Sequence, residues 1–514
     1  MNAEKMLVTA MLDAKSYPHP VVGAIEQHET HISRVFLAGE FAYKIKKPIV
    51  SDFLDYSSAE KRHACCVEEL RLNQRYADGL YENIAVIRQL NDQITVDGPG
   101  VAIDYAVRMK RFPESDVLSS CLKARELSRD EIDQLATSVA SFHNNAAVSV
   151  SSMTFGSASN ILKDATDNLQ ALNQAFRKDA QSTLTMQDRL EALSGWTAEF
   201  HSKHQDVFLE RQRQGRIREC HGDLHLSNIV RWNNRWVPFD GIEFRDEFRW
   251  IDVLNDIAFL KMDFDATGRN RAGQLLINSY LQETGDYRSL QLLQWYTVYR
   301  ALVRAKVAAM RADQQSPTSE DYQHSKRDCE SHIQLAFELS QPVQRFLWIT
   351  HGLSGSGKSR GSEQIAADVG AFRIRSDSER RRLLNGTAHE QVGSETAEGL
   401  YSQKGTNQIY EHLLSVSAEI INAGFPVIVD ATFLKLSHRD TFRQLADSLN
   451  VPFGILHFDA ELQELRRRLI LRKEEGRDPS DADTSVLDLQ IASQNPLTAE
   501  EQALVVATGP LLRS

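Results

Sequence analysis

Residues 346–359 read FLWITHGLSGSGKS, an apolar stretch that runs directly into a glycine-rich loop. The loop at 352–359 fits the pattern GxxxxGK[ST], whose glycines let the backbone curl until several N–H groups face one anion. In that pattern Lys358 reaches the β- and γ-phosphates of a nucleotide, and the hydroxyl of Ser359 ligates Mg²⁺. A Gly-Ser linker could match by accident, but the strand before the loop and the helical pattern after it are the context that a phosphate site requires. The sequence therefore predicts a phosphate-binding loop formed by Gly352, Ser354, Gly355, Ser356, Gly357, Lys358 and Ser359.

Strands and helices alternate throughout the part of the chain that contains this loop. After the loop come a helical pattern, FRIRSD at 372–377, a long helix, PVIVDATF at 426–433, another helix, FGILHF at 453–458 and an Arg-rich helix. Such alternation is typical of a parallel sheet flanked by helices. Because Gln341-Pro342 precedes the first strand of this pattern, we place a domain boundary between residues 340 and 341.

Charged residues stand at or just after the ends of two of these predicted strands. Asp377 ends one strand and Arg380 follows one turn later. The carboxylate could orient and deprotonate an acceptor hydroxyl, and the arginine could hold an anionic acceptor. Asp430 ends the apolar strand VIVD, where a Walker-B aspartate acts on Mg²⁺ or its waters. The alternative for either aspartate is a helix N-cap.

The Arg-rich helix near residue 470 allows two interpretations. Its arginines, which include Arg468 and Arg472, could form a lid that offsets the charge of a transferring phosphoryl group. The alternative is that most of them lie on a solvated helix face.

Taken together, the motifs of this region resemble those of small P-loop kinases, in particular the gluconate-kinase, polynucleotide-kinase and zeta-toxin-like groups. The motifs are the phosphate loop, SDSER at 376–380, VIVDATF at 427–433 with HR at 438–439, and the Arg-rich helix that runs into DPSDAD. The resemblance implies ATP and Mg²⁺ as cofactors, Asp377 as the base for the acceptor, and lid arginines such as Arg468 and Arg472 on ATP. These motifs are specific for phosphoryl transfer but not for an acceptor.

A second constellation lies at 221–240, which reads HGDLHLSNIVRWNNRWVPFD. A phosphoryl-transfer site needs a carboxylate at the acceptor hydroxyl and oxygen ligands for Mg²⁺. Asp223 supplies the first, and Asn228 and Asp240, after a short hairpin with an Asn-Asn turn, supply the second. The order resembles the catalytic loop and metal aspartate of kinases. The variant HGDxHxxN is similar to that of aminoglycoside phosphotransferases, choline kinases and fructosamine kinases.

Upstream residues agree with this resemblance. In the hairpin at 34–47, Lys44 resembles the strand lysine that binds ATP, and Lys46 is the alternate. Glu69, in the helix CCVEELRLN, could pair with that lysine, and its neighbour Glu68 is again an alternate.

Two further positions bear on how complete this site is. Asp256 matches a family aspartate that braces the catalytic loop. No GxGxxG loop precedes Lys44, however, because only the short turn Gly39-Glu40 joins the two strands of the hairpin. Phosphate gripping by such a loop is therefore missing from the pattern.

Composition and charge argue against several other classes of protein. The chain has 514 residues, 42% of them hydrophobic and 25% charged, which is typical of several globular domains. The net charge of −11 lacks the basic excess of proteins that coat long nucleic acids. No signal peptide and no apolar run of about 18 residues is recognisable. Scattered cysteines without metal spacing favour reduced thiols and a cytoplasmic protein.

We therefore predict a two-lobed α+β kinase-like domain at 1–340 and an α/β P-loop domain with a parallel sheet at 341–514. The whole resembles bacterial fusions of an aminoglycoside-phosphotransferase-like domain to a P-loop kinase. The predicted activity is transfer of the γ-phosphoryl group of ATP to hydroxyls of small molecules at two ATP–Mg²⁺ sites. The alternative is a P-loop kinase, acting on a small molecule or a nucleic-acid end, that a catalytically weak N-terminal domain regulates. We expect small-molecule acceptors as partners and neither membranes nor long nucleic acid, and the oligomeric state is left open.

Overall fold

The computed structural model describes residues 3–51, 54–150, 155–178, 184–386, 403–475 and 484–507. Two compact units divide the chain: the first comprises residues 1–161 and 208–263, and the second comprises 162–207 and 264–514. The predicted domain boundary at 340/341 lies inside the second unit. The compact units thus group the chain differently from the predicted domains, and that domain boundary stays a prediction.

The first unit begins with a helix and an antiparallel sheet. In chain order the elements are α1 (Ala3–Met11), β1 (Glu26–Glu29), β2 (Ser33–Ala38), β3 (Phe41–Lys46), β4 (Val50–Ser51), β5 (Leu54–Asp55), α2 (Ala59–Asn73), β6 (Tyr81–Leu90), β7 (Gln93–Val96) and β8 (Val101–Lys110). Six strands form one sheet in the order β1-β2-β3-β8-β6-β7, and β4 pairs with β5. The predicted hairpin is β2 and β3, which the turn Gly39–Glu40 joins.

The side-chain period of a strand explains how β3 presents its lysines. Tyr43 and Ile45 pack into the core cluster that includes residues of α1, whereas Ala42 packs with Cys66 of α2 on the other face. Because alternate residues of a strand point to the same face, Lys44 and Lys46 share the face of Ala42. Both ammonium groups therefore point towards α2.

Helices and short strands follow. They are α3 (Leu118–Ala124), α4 (Arg129–Asn145), α5 (Ala158–Lys178), α6 (Leu184–Arg213), β9 (Ile217–Glu219), β10 (Ile229–Trp232), β11 (Arg235–Pro238), α7 (Asp246–Arg249), β12 (Trp250–Asp252) and α8 (Val253–Ala266). The predicted Asn-Asn turn joins β10 to β11, with φ of 49° at Asn233 and 61° at Asn234. Positive φ at both central residues matches the right-handed twist of a two-residue hairpin.

The second unit contains a helical part and a parallel sheet. Most of α5 and α6 belongs to this unit, and the helices that follow are α9 (Asn270–Thr284), α10 (Leu293–Asp313) and α11 (Glu320–Leu339). Then come β13 (Leu347–His351), α12 (Lys358–Val369), β14 (Phe372–Arg375), α13 (Ser376–Gly386), α14 (Gln403–Asn422), β15 (Val427–Asp430), α15 (Leu436–Ser448), β16 (Phe453–His457), α16 (Leu462–Glu475), α17 (Thr484–Ser493) and α18 (Ala499–Gln502).

All the strand pairs of this second sheet are parallel, in the order β14-β15-β13-β16. Its strands are buried, with Ile349, Ile428 and Ile455 at 0% exposure. Helices on both faces of a parallel sheet require such apolar strands. The predicted fold class is confirmed: an α+β region with strands first and helices after, followed by an α/β P-loop domain. Among the described helices, none is both long and apolar enough to cross a bilayer.

Candidate active sites

The phosphate-binding loop lies between β13 and α12, at the carboxyl end of the strand. Its glycines are needed for two separate reasons. Gly352 has a φ of +150°, and a Cβ there would lie 2.2 Å from the carbonyl oxygen of Phe458. Gly357, at the N-terminus of α12, has a φ of +90°, and a Cβ there would meet only Nη1 of Arg468 at an ordinary contact distance of 3.8 Å, so there the requirement is conformational. The loop therefore has the curled backbone that the sequence predicts.

A cleft of about 600 Å³ opens above this loop and brings together most of the residues that the sequence singled out. They are Ser354, Gly355, Gly357, Lys358, Ser359, Asp377, Arg380, Asp430 and Arg468. Gly352 and Ser356 belong to the same loop but are not among the residues that line the cleft. Lys358 is only 8% exposed, and its ammonium donates to the carbonyl of Leu353 at 2.7 Å.

Asp430 ends β15 and is 4% exposed. Within the described part of the chain its Oδ2 has no hydrogen-bond partner, although the guanidinium groups of Arg373 and Arg375 lie 3.8 and 3.6 Å away. The hydroxyl of Ser356 in the loop is likewise buried without a hydrogen-bond partner among those residues. Buried oxygens of this kind usually have a ligand or water as partner, so this donor set fits a cation and a phosphate.

Asp377 and Arg380 lie in the first turns of α13, with 3.7 Å between the carboxylate and the guanidinium. Since Asp377 is already inside the helix and the N-cap of α15 is Lys435, neither Asp377 nor Asp430 occupies the N-cap position that was their alternative. Both carboxylates instead face the cleft.

One arginine of α16 lies at the phosphate loop, as a lid would require, and others lie on a solvated helix face. Arg468 donates to the carbonyl of Gly355 at 3.3 Å and so reaches the phosphate loop. Arg466 and Arg467 are more than half exposed and pair with Asp488 and with a glutamate one turn away, as expected of a solvated face. The side chain of Arg472 lies outside the described residues.

Sequence reasoning gave no role to three residues of this cleft, of which only His438 stands in a motif quoted above. The side-chain amide of Gln490 in α17 accepts from the N–H of Ser354 at 2.9 Å and donates to its hydroxyl at 3.0 Å. The rings of Tyr410 and His438 stack with centroids 3.8 Å apart in the same cleft. Burial raises the pKa of Tyr410 and lowers that of His438, so both are neutral near pH 7. No local motif marks Gln490, since 136 residues separate it from Ser354.

In the first unit, the predicted ion pair forms, and it is part of a network with more charged residues than the sequence predicts. The ammonium of Lys44 lies 2.8 Å from a carboxylate oxygen of Glu69 and also contacts Asp240. Lys46 contacts the other oxygen of Glu69 and, in addition, Glu243. Both predicted alternates for the lysine thus bind the same glutamate, and only Lys44 reaches the aspartate predicted as a metal ligand.

Glu68, the other candidate for this ion pair, faces elsewhere. Its carboxylate lies 2.6 Å from Arg71 and 2.8 Å from Arg249. Consecutive helical residues lie about 100° apart around the axis, so only one of the two glutamates can face β3. Glu243, which sequence reasoning did not single out, is held by the Tyr56 hydroxyl at 2.7 Å.

Electrostatics keep this network ionised. Burial by itself lowers the pKa of Lys44 and Lys46, but nearby carboxylates outweigh it, chiefly Asp240 and Glu69 at Lys44 and Glu243 and Glu69 at Lys46, and hold both pKa values well above the ordinary range. Burial raises the pKa of Glu69, yet the two ammonium groups bring it below its usual value. The lysines and Glu69 are therefore charged at neutral pH.

The loop after β9 holds Asp223 and Asn228 together. The amide of Asn228 donates to the Asp223 carboxylate at 3.0 Å, and His225 Nε2 lies 3.3 Å from that carboxylate. Asp256, fully buried in α8, accepts from the backbone N–H groups of His221 at 2.9 Å and Gly222 at 3.0 Å. The bracing predicted for Asp256 is thus present.

Asp240 adopts a left-handed backbone, with a φ of +63°. Its N–H donates to the hydroxyl of Tyr81 at 3.0 Å, and the next N–H donates to Asn73 at 2.9 Å. The side chains of Asp223 and Asp240 are 38% and 41% exposed, so both carboxylates are open to a ligand. The turn at Gly39–Glu40 remains two residues long, as the sequence indicates.

Comparisons with known proteins agree with this description. The family model described as "AAA domain" matches residues 347–497, the range that holds the phosphate loop, Asp377, Asp430 and Arg468. Uncharacterized proteins of Mycobacterium tuberculosis H37Rv and of Mycobacterium bovis are each 29% identical to this chain over 456 residues. The matched region covers 88% of this chain and 88% of each of those proteins.

Solved structures similar to parts of the chain include two kinases. One is a choline/ethanolamine kinase family protein from Mesorhizobium loti, 11% identical with a TM-score of 0.38, covering 65% of this chain and 99% of that one. The other is a gluconokinase from Sinorhizobium meliloti 1021, 20% identical with a TM-score of 0.22, covering 32% and 83%. The chain combines a kinase-like N-terminal region, with its lysine–glutamate pair and braced HGDxHxxN loop, and a C-terminal P-loop domain.

Proposed function

We propose that this protein is a kinase with two ATP–Mg²⁺ sites, each of which transfers the γ-phosphoryl group to the hydroxyl of a small molecule. The observation that carries the proposal is that each unit holds its own set of groups for phosphoryl transfer. Such a set comprises a lysine for the phosphates, a carboxylate for the acceptor proton and oxygen ligands for Mg²⁺. All the residues proposed for each set lie within one unit.

In the second unit, the backbone N–H groups of the loop and Lys358 would hold the β- and γ-phosphates. Ser359 and Asp430 would hold Mg²⁺, which neutralises charge on the phosphate oxygens when bound. Asp377 would take the proton from the acceptor hydroxyl while Arg380 orients the acceptor. Arg468 supports this role because it already contacts the loop, where it would offset negative charge in the transition state.

In the first unit, Lys44 would bind the phosphates with Glu69 as its orienting partner. Asp223 would accept the acceptor proton, and Asn228 and Asp240 would be the Mg²⁺ ligands. The hydrogen bond from Asn228 to Asp223 supports this assignment because it places a metal ligand and a base side by side. Backbone bonds to Asp256 hold the loop rigid, as a positioned base requires.

One observation favours a second function for the first unit. The two-residue turn at Gly39–Glu40 cannot wrap a triphosphate as a glycine-rich loop does. On this alternative the first unit binds ATP and regulates the P-loop kinase without transferring phosphate itself.

ADP release in the presence of Mg²⁺ tests both proposals. The purified chain is screened against amino sugars, amino alcohols, sugar acids, nucleosides and 5′-hydroxyl oligonucleotides, alongside Asp223→Asn and Lys358→Ala. Lys123→Ala, an exposed position in α3, is the control. Two acceptor sets, each abolished by one substitution only, are the expected result. Activity lost only in Lys358→Ala favours the regulatory alternative, and no ADP with any acceptor refutes the kinase proposal for this range of acceptors.

A further inference from the structure

Helix α9 covers the free edge of the parallel sheet in the second unit. The edge strand is β14, and the carbonyl of Ala371, the residue just before this strand, accepts from the side-chain amide of Asn278 at 3.0 Å. The N–H of Arg373 donates to the oxygen of the same amide at 2.9 Å. One side chain therefore makes the two hydrogen bonds that a residue of a further parallel strand would make. Gln274, one turn earlier, donates to the same carbonyl at 3.0 Å.

The last turn of α9 also holds α13, the helix that follows β14. Arg382 of α13 donates to the carbonyl of Gln282 and pairs with Glu379. Glu379 is 1% exposed, and its other oxygen lies 3.0 Å from Nε2 of His412 in α14. A carboxylate buried this completely needs both partners to remain charged.

Gly285 makes the close approach of Arg382 feasible. It ends α9 with a φ of +68°, and a Cβ at this position would lie 2.4 Å from Nε of Arg382. The guanidinium therefore packs against bare backbone at the end of α9. Any side chain at residue 285 would displace it.

We propose that α9 and the residues to Gly285 form a positioning element for the acceptor side of the P-loop site, which they hold through Arg382 of α13. Helix α13 carries Asp377 and Arg380 into the cleft, whereas Glu379 and Arg382 hold it to α9 and α14. The sequence groups α9 with the N-terminal kinase-like domain, yet its contacts support the second ATP site. This inference rests on the proposed function insofar as α13 is the acceptor-side helix.

Hydrogen exchange of the full-length chain tests the proposal without an acceptor. Arg382→Ala removes the bonds to Glu379 and Gln282, and the amides of 376–383 should then exchange at least about tenfold faster, the loss expected for one charge-assisted hydrogen bond. Arg381→Ala, at the neighbouring exposed position, is the matched control for the loss of an arginine from α13 and should accelerate exchange less than Arg382→Ala does. Equal exchange in the two variants overturns the proposal.

Arg382→Lys covers the case in which the alanine variant does not fold. Lysine keeps a charge beside Glu379 but lacks the planar fork that reaches two acceptors, so its exchange should lie between wild type and alanine. If the alanine variant does not fold, exchange at the wild-type rate in the lysine variant refutes the role of Arg382.

Kinetics separate positioning from general damage. Titration with the ATP analogue AMP-PNP should give an unchanged Kd, because the phosphate loop does not contact Arg382 in the described structure. With an acceptor whose phosphorylation Lys358→Ala abolishes, kcat/KM for that acceptor should fall in Arg382→Ala while KM for ATP stays constant. Equal losses for ATP and acceptor would mean that Arg382 is merely structural. If no acceptor is active the proposed function fails, while the exchange experiment still decides this inference.

Discussion

The shared glutamate of the first unit leads to a sharp prediction. Glu69→Gln removes the one negative charge that lies between Lys44 and Lys46, at a site where the glutamate is 0% exposed. The glutamine oxygen can still accept from one ammonium, but its amide group then points a donor at the other. Lys44 and Lys46 keep Asp240 and Glu243 as partners, so the network loses part of its charge balance but keeps two ion pairs.

The magnitude follows from these contacts. Losing one hydrogen bond to a charged group costs about 1.5–3 kcal/mol, and leaving a buried charge uncompensated costs about 3–5 kcal/mol. Because both lysines retain a carboxylate, we expect the lower range, about 1.5–3 kcal/mol in the free energy of unfolding. If the same loss applies to the orientation of Lys44 towards phosphate, ATP affinity falls about tenfold to a hundredfold, since about 1.4 kcal/mol is a factor of ten.

The assay uses the Lys358→Ala background, so that ATP binding reports on the first unit alone. Titration calorimetry with Mg-ATP and urea denaturation are run for Glu69→Gln and for Glu68→Gln. Glu68 is the matched control because it is adjacent and pairs only with arginines in the described contacts. Its substitution should change ATP affinity by less than about threefold. Equal ATP affinities in the two variants would refute the reasoning that Glu69 orients Lys44.

Three further predictions concern the second unit. Gly352→Ala should abolish ATP binding there, since its Cβ would meet backbone 2.2 Å away. Gly370→Ala is the control: its Cβ would have no atom within 4 Å, so the substitution should cost only about 1 kcal/mol of left-handed strain. Calorimetry measures ATP binding and thermal denaturation measures stability for both variants. Burial, with help from His457, lowers the pKa of His351 from 6.5 to about 4, so the unfolded chain binds a proton that the folded chain does not. Stability should therefore fall by up to about 1.4 kcal/mol per pH unit as the pH drops from 6.5 towards 4, and urea denaturation of His351→Gln should show a smaller slope. Arg439→Ala leaves the 3%-exposed Glu501 without its 2.6 Å partner and should destabilise the protein by about 3–5 kcal/mol, against less than about 1 kcal/mol for the exposed pair broken in Arg467→Ala.

The sequence by itself determined those features that depend on short spacings. Residues 352–359 specify their own loop, because the glycine positions and the flanking strand and helix are all local. The hairpin of β2 and β3, the Asn233–Asn234 turn and the alternation of strands and helices after residue 345 were predicted for the same reason. Periods of two and 3.6 residues are visible without any long-range contact.

Only the tertiary structure decided which distant groups meet. Whether Glu68 or Glu69 faces the lysines depends on the rotation of α2 about its axis relative to β3. The positions of these residues in the sequence do not specify that rotation. Glu243 and Gln490 carry no motif of their own, since each acts through a partner more than 100 residues away. The role of α9 is the clearest case. Asn278 and Gln274 are ordinary polar residues four positions apart on a helix, and they become edge-strand partners only because folding brings β14 against them. Side-chain hydrogen bonds of this kind depend on where the packed elements end, so the sequence predicts the elements but not the pairs.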